Sequence, residues 1–294
     1  MDLVIFSDYG PSNGETIFGN SFETFQGGKG ANQAVAASRL DADVTFVGKV
    51  GKDFFGKKLK ENLLEEDINV QYLGEHDGES GVAFINVFEE TSENQIIVVP
   101  GANSFVESSQ VTDELLNSTD ILISQFEVPP SQTEDLFKRA KSFGNFRILN
   151  TAPVTNFSRT LLSETDLLVV NEIELESLSG EKVNKENPDT VRLAVKSLSL
   201  NNRQSIVVTL GSHGAYIYKD KREEFVAGLD VDSIDSTGSG DCFIGALATS
   251  YLENEDLFES VKFANSAAAI STTKRGTSSS MPTKDQVVNF LQSA

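Results

Sequence analysis

The sequence predicts an α/β protein: a three-layer, doubly wound, mostly parallel sheet with a small β-sheet lid. Three observations carry this. Short, β-branched apolar runs alternate with amphipathic stretches of helical period, the pattern of parallel strands covered on both faces. Two other stretches alternate apolar and polar residues around turns, with no helix between them, and read as hairpins. The length of 294 residues allows one large domain or two small ones, with ample core and no need of a disulfide or structural metal.

The elements follow in order. Strands are expected at Val44–Val50, Ile121–Ser124, Arg147–Leu149, Leu167–Val170 and Ser205–Leu210, each short and bounded by turn residues. Helical patterns lie between them at Ala31–Leu40, Asp53–Glu65, Ser131–Phe143 and Thr190–Leu200. The last third is mostly helical: Gly240–Leu252, Leu257–Thr273 and Lys284–Leu291. Thr16–Gln26 reads as a hairpin turning at Gly19-Asn20, and Gly81–Phe88 with Gln95–Pro100 as a second pair around the polar turn Glu89–Asn94. Together they suggest a flap of about 14–27 and 81–100 on a single domain spanning 1–294, able to act as a lid. Asp2–Phe6 is brief and runs straight into a turn cluster, as though the chain began where a strand is ending.

Composition narrows the function. A net charge of −20 argues against general nucleic-acid or anionic-membrane binding, both of which reward Lys and Arg. No apolar run approaches the ~20 residues that span a bilayer, and the start lacks the features of a signal peptide. The one cysteine, Cys242, forms no internal disulfide and fits a reducing, cytoplasmic setting, with a nuclear or mitochondrial pool left open. It reads as core packing. An anionic substrate would need local donors, because the global field repels it.

Four segments could carry chemistry. Gly27-Gly28-Lys29-Gly30-Ala31-Asn32-Gln33 leads into a helix, so its backbone can approach a ligand while Lys29 and Asn32 add donors. The same residues also suit a tight strand-to-helix turn. Asp235-Ser236-Thr237-Gly238-Ser239-Gly240-Asp241 opens an apolar helix, where successive N–H groups make an anion hole. A carboxylate at Asp241 competes with a bound phosphate unless it has a task, such as taking a proton from a hydroxyl. Thr209-Leu210-Gly211-Ser212-His213-Gly214 suits a loop around a nucleotide, with His213 an exposed turn residue. Asn171-Glu172-Ile173-Glu174 offers oxygens for Mg²⁺ through water, though an ordinary acidic helix start explains it as well. Asn150-Thr151-Ala152-Pro153 follows another strand on the same edge, where ligands bind in open α/β sheets.

At this point the residues resemble the ribokinase-like (PfkB) sugar kinases. Gly27–Ala37 looks like that family's first signature and Asp235–Asp241 like its second, D-T-x-G-x-G-D, with the other segments in the family's order over essentially the whole chain. The resemblance implies phosphoryl transfer from ATP to the 5-hydroxyl of D-ribose. It makes Asp241 the base, and Gly238, Ser239 and Gly240 the stabilisers of the transferring phosphoryl. It assigns Asp2, Gly28, Lys29, Gly30, Asn32 and Glu127 to the sugar. Asn171, Thr209 through Gly214 and Asn265, with Gly240 and Asp241, fall to ATP, and Glu174 to water-held Mg²⁺. Asp235, Thr237, Ser271, Lys274, Gly276 and Ser280 match an activating K⁺ site, most of them through backbone carbonyls. The lid implies a homodimer, since two such faces cover each other.

Two departures stand out. Ser239 replaces the family's usual Ala and leaves the N–H in place. Asp2 aligns with the Asp of an opening N-x-D motif, so the Asn and the first core strand would lie upstream of Met1. The alternatives are another sugar or nucleoside kinase of this family, or a truncated, non-catalytic sugar-binding relative; a retained Asp241 speaks against the last.

Overall fold

The protein is described from a computed structural model covering residues 1–91, 93–201 and 203–293. The chain opens with β1 (Asp2–Ser7) and β2 (Ser21–Phe25), then α1 (Lys29–Arg39), β3 (Thr45–Gly51), α2 (Phe54–Glu65) and β4 (Asn69–His76). The hairpin of β5 (Val82–Phe88) and β6 (Glu93–Val99) follows. A strand–helix alternation comes next: α3 (Asp113–Asn117), β7 (Ile121–Ser124), α4 (Pro130–Phe143), β8 (Phe146–Asn150), α5 (Arg159–Ser163) and β9 (Leu167–Asn171). After α6 (Glu172–Ser179) and α7 (Pro188–Ser197) come β10 (Ser205–Thr209), β11 (Gly214–Lys219) and β12 (Arg222–Ala227). Three helices close the chain: α8 (Ser239–Asn254), α9 (Leu257–Thr272) and α10 (Lys284–Ser293).

The sequence chemistry explains the boundaries. Asp53 caps α2, its carboxylate accepting the Gly56 N–H at 2.6 Å. Pro130 opens α4, and Gly144 ends it in the left-handed conformation. Asn171 and Glu174 form a reciprocal capping box at the start of α6. Ten consecutive residues of α8, Asp241–Ser250, are buried, so this helix is apolar all round and runs through the core.

The main sheet has six strands in the order β12-β11-β10-β9-β8-β7, with β7 to β10 parallel. Val169, Val170, Ile206, Val207 and Val208 are essentially buried, as expected for strands covered on both faces. β3 and β4 form a separate parallel pair. Among the described residues no ladder joins β3 to β7. A cleft of about 1250 Å³ lies between them, lined by Val47, Val50, Ile121 and Ile123 and continuous with the space around Asp2, Lys29 and Asp241. All four residues of β7 stay half-buried where β9 is closed.

The remaining strands make a four-stranded sheet, β2-β1-β5-β6. Here the expected Thr16–Gln26 hairpin is corrected. β2 does not pair with Thr16–Asn20; it pairs antiparallel with β1, Phe22 opposite Ile5, and β1 pairs parallel with β5. The turn is therefore the longer loop 8–20. Gly10, Pro11 and Gly14 favour bends there, and the Asn20 N–H donates to Phe6 O at 2.7 Å to close it. Asp2–Phe6 is thus a full strand of this sheet. Ser92, within the expected Glu89–Asn94 turn, lies outside the described residues. This sheet exposes Ile5, Phe22, Phe84 and Ile97, the last two 43 % and 64 % exposed.

One packing contact sets up the site. α8 crosses α1 so closely that a Cβ on Gly245 would fall 2.6 Å from Ala36 Cβ and from Gln33 O. Glycine is needed there for backbone approach. That approach brings the first turn of α1 against the first turn of α8.

Candidate active site

Asp241 sits in the first turn of α8, 7 % exposed. Asn32 Nδ2 donates to Asp241 Oδ2 and Gln33 Nε2 to Oδ1, both at 3.0 Å. Burial pushes the Asp241 carboxyl up, while the Lys29 charge and the two amides pull it down. A carboxylate so placed is a proton acceptor held by donors that cannot take its proton.

Gly238 caps α8 at φ +76° with no side-chain capping bond. The Cys242 N–H reaches back to Gly238 O, and the Ser239 N–H to Ser236 O. Among the described residues the N–H groups of Gly240 and Asp241 have no such partner, and a Cβ on Gly240 would meet open space. An open helix N-terminus beside a carboxylate can hold a transferring phosphoryl while the carboxylate takes a hydroxyl proton.

The polar floor is built from distant segments. The Lys29 N–H donates to Glu127 Oε2 at 2.8 Å. Glu127 and Asp2 are both pushed up by burial, and each feels the charge of Asp241. A Cβ on Gly27 would overlap the Asp2 carboxylate at 2.1 Å, so glycine is needed there for Asp2 to reach the site. Gly28 takes φ +100°, which seats the Gly28–Lys29 turn over Glu127. Asp2, Gly28, Lys29, Gly30, Asn32, Glu127 and Asp241 line one cleft, as does the neighbouring Gly238. Three carboxylates, one ammonium and one amide suit a neutral polyol better than an anion.

The nucleotide-side residues lie apart from that cleft, at the carboxyl ends of β9 and β10. Asn171 and Thr209 are cross-strand partners. Leu210 is buried, and Gly211, Ser212 and His213 form an exposed turn before Gly214 opens β11. Asn265 Nδ2 reaches Ala227 O, at the end of β12, at 3.4 Å. Both Glu174 oxygens accept from Asn171. Burial pushes the Glu174 carboxyl up, and the Lys29 charge acts on it from across the site.

Asp235 ties two loops together: it accepts the Thr237 N–H at 2.9 Å and the Gly276 N–H at 3.0 Å. Burial opposes its charge, but these bonds hold its carboxyl below the usual range. The Ser271 and Ser280 hydroxyls donate to Ala268 O and Thr277 O, and Lys274 is exposed. Cys242 is fully buried, and burial pushes its thiol up to about 12. That agrees with core packing.

Three polar residues join the site without a role read from sequence: Gln33, Gln125 and Asn150, all buried. The available signal was a polar pair, Asn32-Gln33, opening an otherwise apolar helix.

A buried carboxylate beside an open helix N-terminus, next to a polar floor on a doubly wound sheet, fits a kinase that phosphorylates a small hydroxyl compound. The chain matches the family described as pfkB family carbohydrate kinase over residues 1–284, and it belongs to that family. It is 37 % identical over 299 residues to a ribokinase of Haemophilus influenzae, covering 100 % of this chain and 96 % of that protein. It is 34 % identical over 297 residues to a deoxyribokinase of Salmonella typhi, covering 99 % and 95 %. A solved Arabidopsis thaliana ribokinase, complexed with ribose and ATP, matches with a TM-score of 0.89 at 28 % identity, covering 99 % of this chain and 95 % of that one.

Proposed function

We propose that this chain transfers the γ-phosphoryl group of ATP to the 5-hydroxyl of D-ribose, giving ribose 5-phosphate and ADP. The observation that carries the reading is Asp241, clamped by Asn32 and Gln33 at the open start of α8. The ribokinase relatives supply the sugar. Asp241 takes the hydroxyl proton as the new O–P bond forms, and the β–γ bridge bond of ATP breaks. The turn Gly238, Ser239 and Gly240 stabilises the charge on the phosphoryl, chiefly through the open Gly240 and Asp241 N–H groups, since the Ser239 N–H is engaged with Ser236 O. Catalysis is positioning plus electrostatics, with no covalent intermediate needed. Asp2, Gly28, Lys29, Gly30, Asn32 and Glu127 hold the sugar, while Asn171, Thr209 to Gly214 and Asn265 hold ATP.

Mg²⁺ suits the hard carboxylate oxygens of Glu174, which Asn171 orients and which would hold the ion through water. When bound there, the ion would neutralise charge on the phosphates. The loops joined by Asp235 and Gly276 offer backbone oxygens suited to K⁺, with Thr237, Ser271, Lys274 and Ser280 along them. The four-stranded sheet serves as the lid of a single kinase domain, and its exposed apolar face supports a homodimer. The chain's place is the cytoplasm.

The test is ADP release with ribose, 2-deoxyribose, fructose and adenosine as acceptors. Ribose should give the highest kcat/KM. Preference for adenosine or fructose would overturn the reading. The similarity to a deoxyribokinase favours a second reading, in which 2-deoxyribose is preferred.

A further inference from the structure

We infer that Gln33, fixed by Gln125, is the positioning residue that aims the Asp241 carboxylate. It touches neither sugar nor nucleotide in this account, and it acts through Asp241.

The geometry is a chain of three side chains from α1, the end of β7 and α8. Gln125 Nε2 donates to Gln33 Oε1 at 2.5 Å. Gln33 Nε2 then donates to Asp241 Oδ1 at 3.0 Å and to Asn150 Oδ1 at 3.4 Å. Asn150 is itself fixed, since its Nδ2 donates to Val169 O at 3.2 Å. Gln33 and Gln125 are 2 % and 9 % exposed, so water does not compete for these bonds.

An amide has one accepting and one donating end. Gln125 takes the accepting end of Gln33, so only the N–H₂ end is left for Asp241. A flipped Gln33 would set its oxygen against the Asp241 carboxylate and its N–H₂ against the N–H₂ of Gln125. Gln125, with Asn150 Oδ1 accepting at the other end, thus reinforces which end of Gln33 the base meets. Room for Gln125 comes from Gly30, where a Cβ would stand 3.1 Å from Gln125 Oε1.

The consequence is chemical. Asn32 holds one oxygen of the base and Gln33 the other, which fixes the plane of the carboxylate. Neither amide can accept a proton, so the proton leaving the sugar ends on Asp241. The charged groups facing Asp241 are Lys29 on α1, Asp2 on β1 and Glu127 after β7, with the Cys242 thiol beside it on α8. Lys29 favours the charged base, whereas Asp2 and Glu127 oppose it. Against two opposing carboxylates, each amide donor matters to keeping Asp241 ionised.

This inference rests on Asp241 being the base, and its test separates the two claims. The Asp241 carboxyl is titrated directly by ¹³C NMR in the ligand-free protein, assigned with Asp241→Asn, in wild type and in Gln33→Leu. The Asp241 titration should move up by about one unit, the effect of losing one charge-assisted hydrogen bond. Kinetically, Gln33→Leu should move the acid limb of the kcat–pH profile up by about one unit, a loss of about tenfold on that limb, with recovery as the pH is raised and little change in sugar KM. Gln125→Leu, which removes the donor that anchors Gln33 Oε1 and so loosens Gln33, should shift the acid limb the same way by less. An unmoved titration in a folded Gln33→Leu, judged by its melting curve, would overturn the inference whatever the substrate. So would a kcat loss that alkaline pH does not relieve. Absence of kinase activity in wild type would instead overturn the proposed function and leave the titration result standing.

Discussion

Replacing Asp241 by Asn probes the base with almost no change in shape. Asn32 and Gln33 each point an N–H at one oxygen, both at 3.0 Å. Whichever way the new amide turns, its N–H₂ meets one of those donors, so one hydrogen bond is lost. That costs about 1–3 kcal/mol of stability, partly offset because burial no longer penalises a charge there. The chemical loss is larger, since a positioned general base contributes about 10²–10⁴-fold. Asp241→Asn should therefore lower kcat by about two to four decades, or about 3–5 kcal/mol of barrier. The sugar KM should move little, because Asp2, Lys29 and Glu127 remain. The assay is steady-state ADP release with sugar and ATP varied separately, beside a thermal melt. A folded variant retaining kcat within tenfold of wild type would refute the base assignment.

Three further outcomes follow from other residues. Glu127→Gln keeps an oxygen to accept the Lys29 N–H but removes a buried charge, so Tm should hold or rise while sugar KM rises; a lowered Tm with unchanged KM would contradict the sugar role. Asp53 is held below its ordinary 3.8, with burial opposed by hydrogen bonds from Ser80 and Gly56. Its stabilising contribution is present above pH 3.8 and is lost as pH falls through the lower folded value, so Asp53→Asn should flatten the acid end of the stability profile. Exchanging K⁺ for a bulky organic cation at constant ionic strength should lower turnover, and an unchanged rate would remove the cation site from the account.

Much of the fold was legible because the strands at Leu167–Val170 and Ser205–Thr209 are continuous apolar runs. Such runs arise only where both faces are covered. β4 was not legible: Asn69–His76 interleaves polar residues, and only Leu73 is buried. β12 was hidden for the same reason, by its charged start Arg222-Glu223-Glu224. The Thr16–Gln26 reading failed because local alternation cannot show that β2 prefers β1 as its neighbour to its own preceding residues.

In the site, Gly238 to Asp241 was readable because a glycine-rich turn before an apolar helix has a direct electrostatic meaning. The contacts that Gln33 makes with Asp241 and Asn150 were not, since those partners lie 208 and 117 positions away. Gly245 is what brings Gln33 to Asp241, and a lone glycine in a helix does not declare its neighbour.

The central claim is that this cleft directs Asp241 at the terminal hydroxyl of ribose. Its most direct test is the product made from ¹³C-labelled ribose and ATP, with the phosphate located by ³¹P–¹³C coupling. Phosphate should appear on C5 alone. Phosphate on C1, or no phosphorylated ribose while another acceptor turns over, would contradict it.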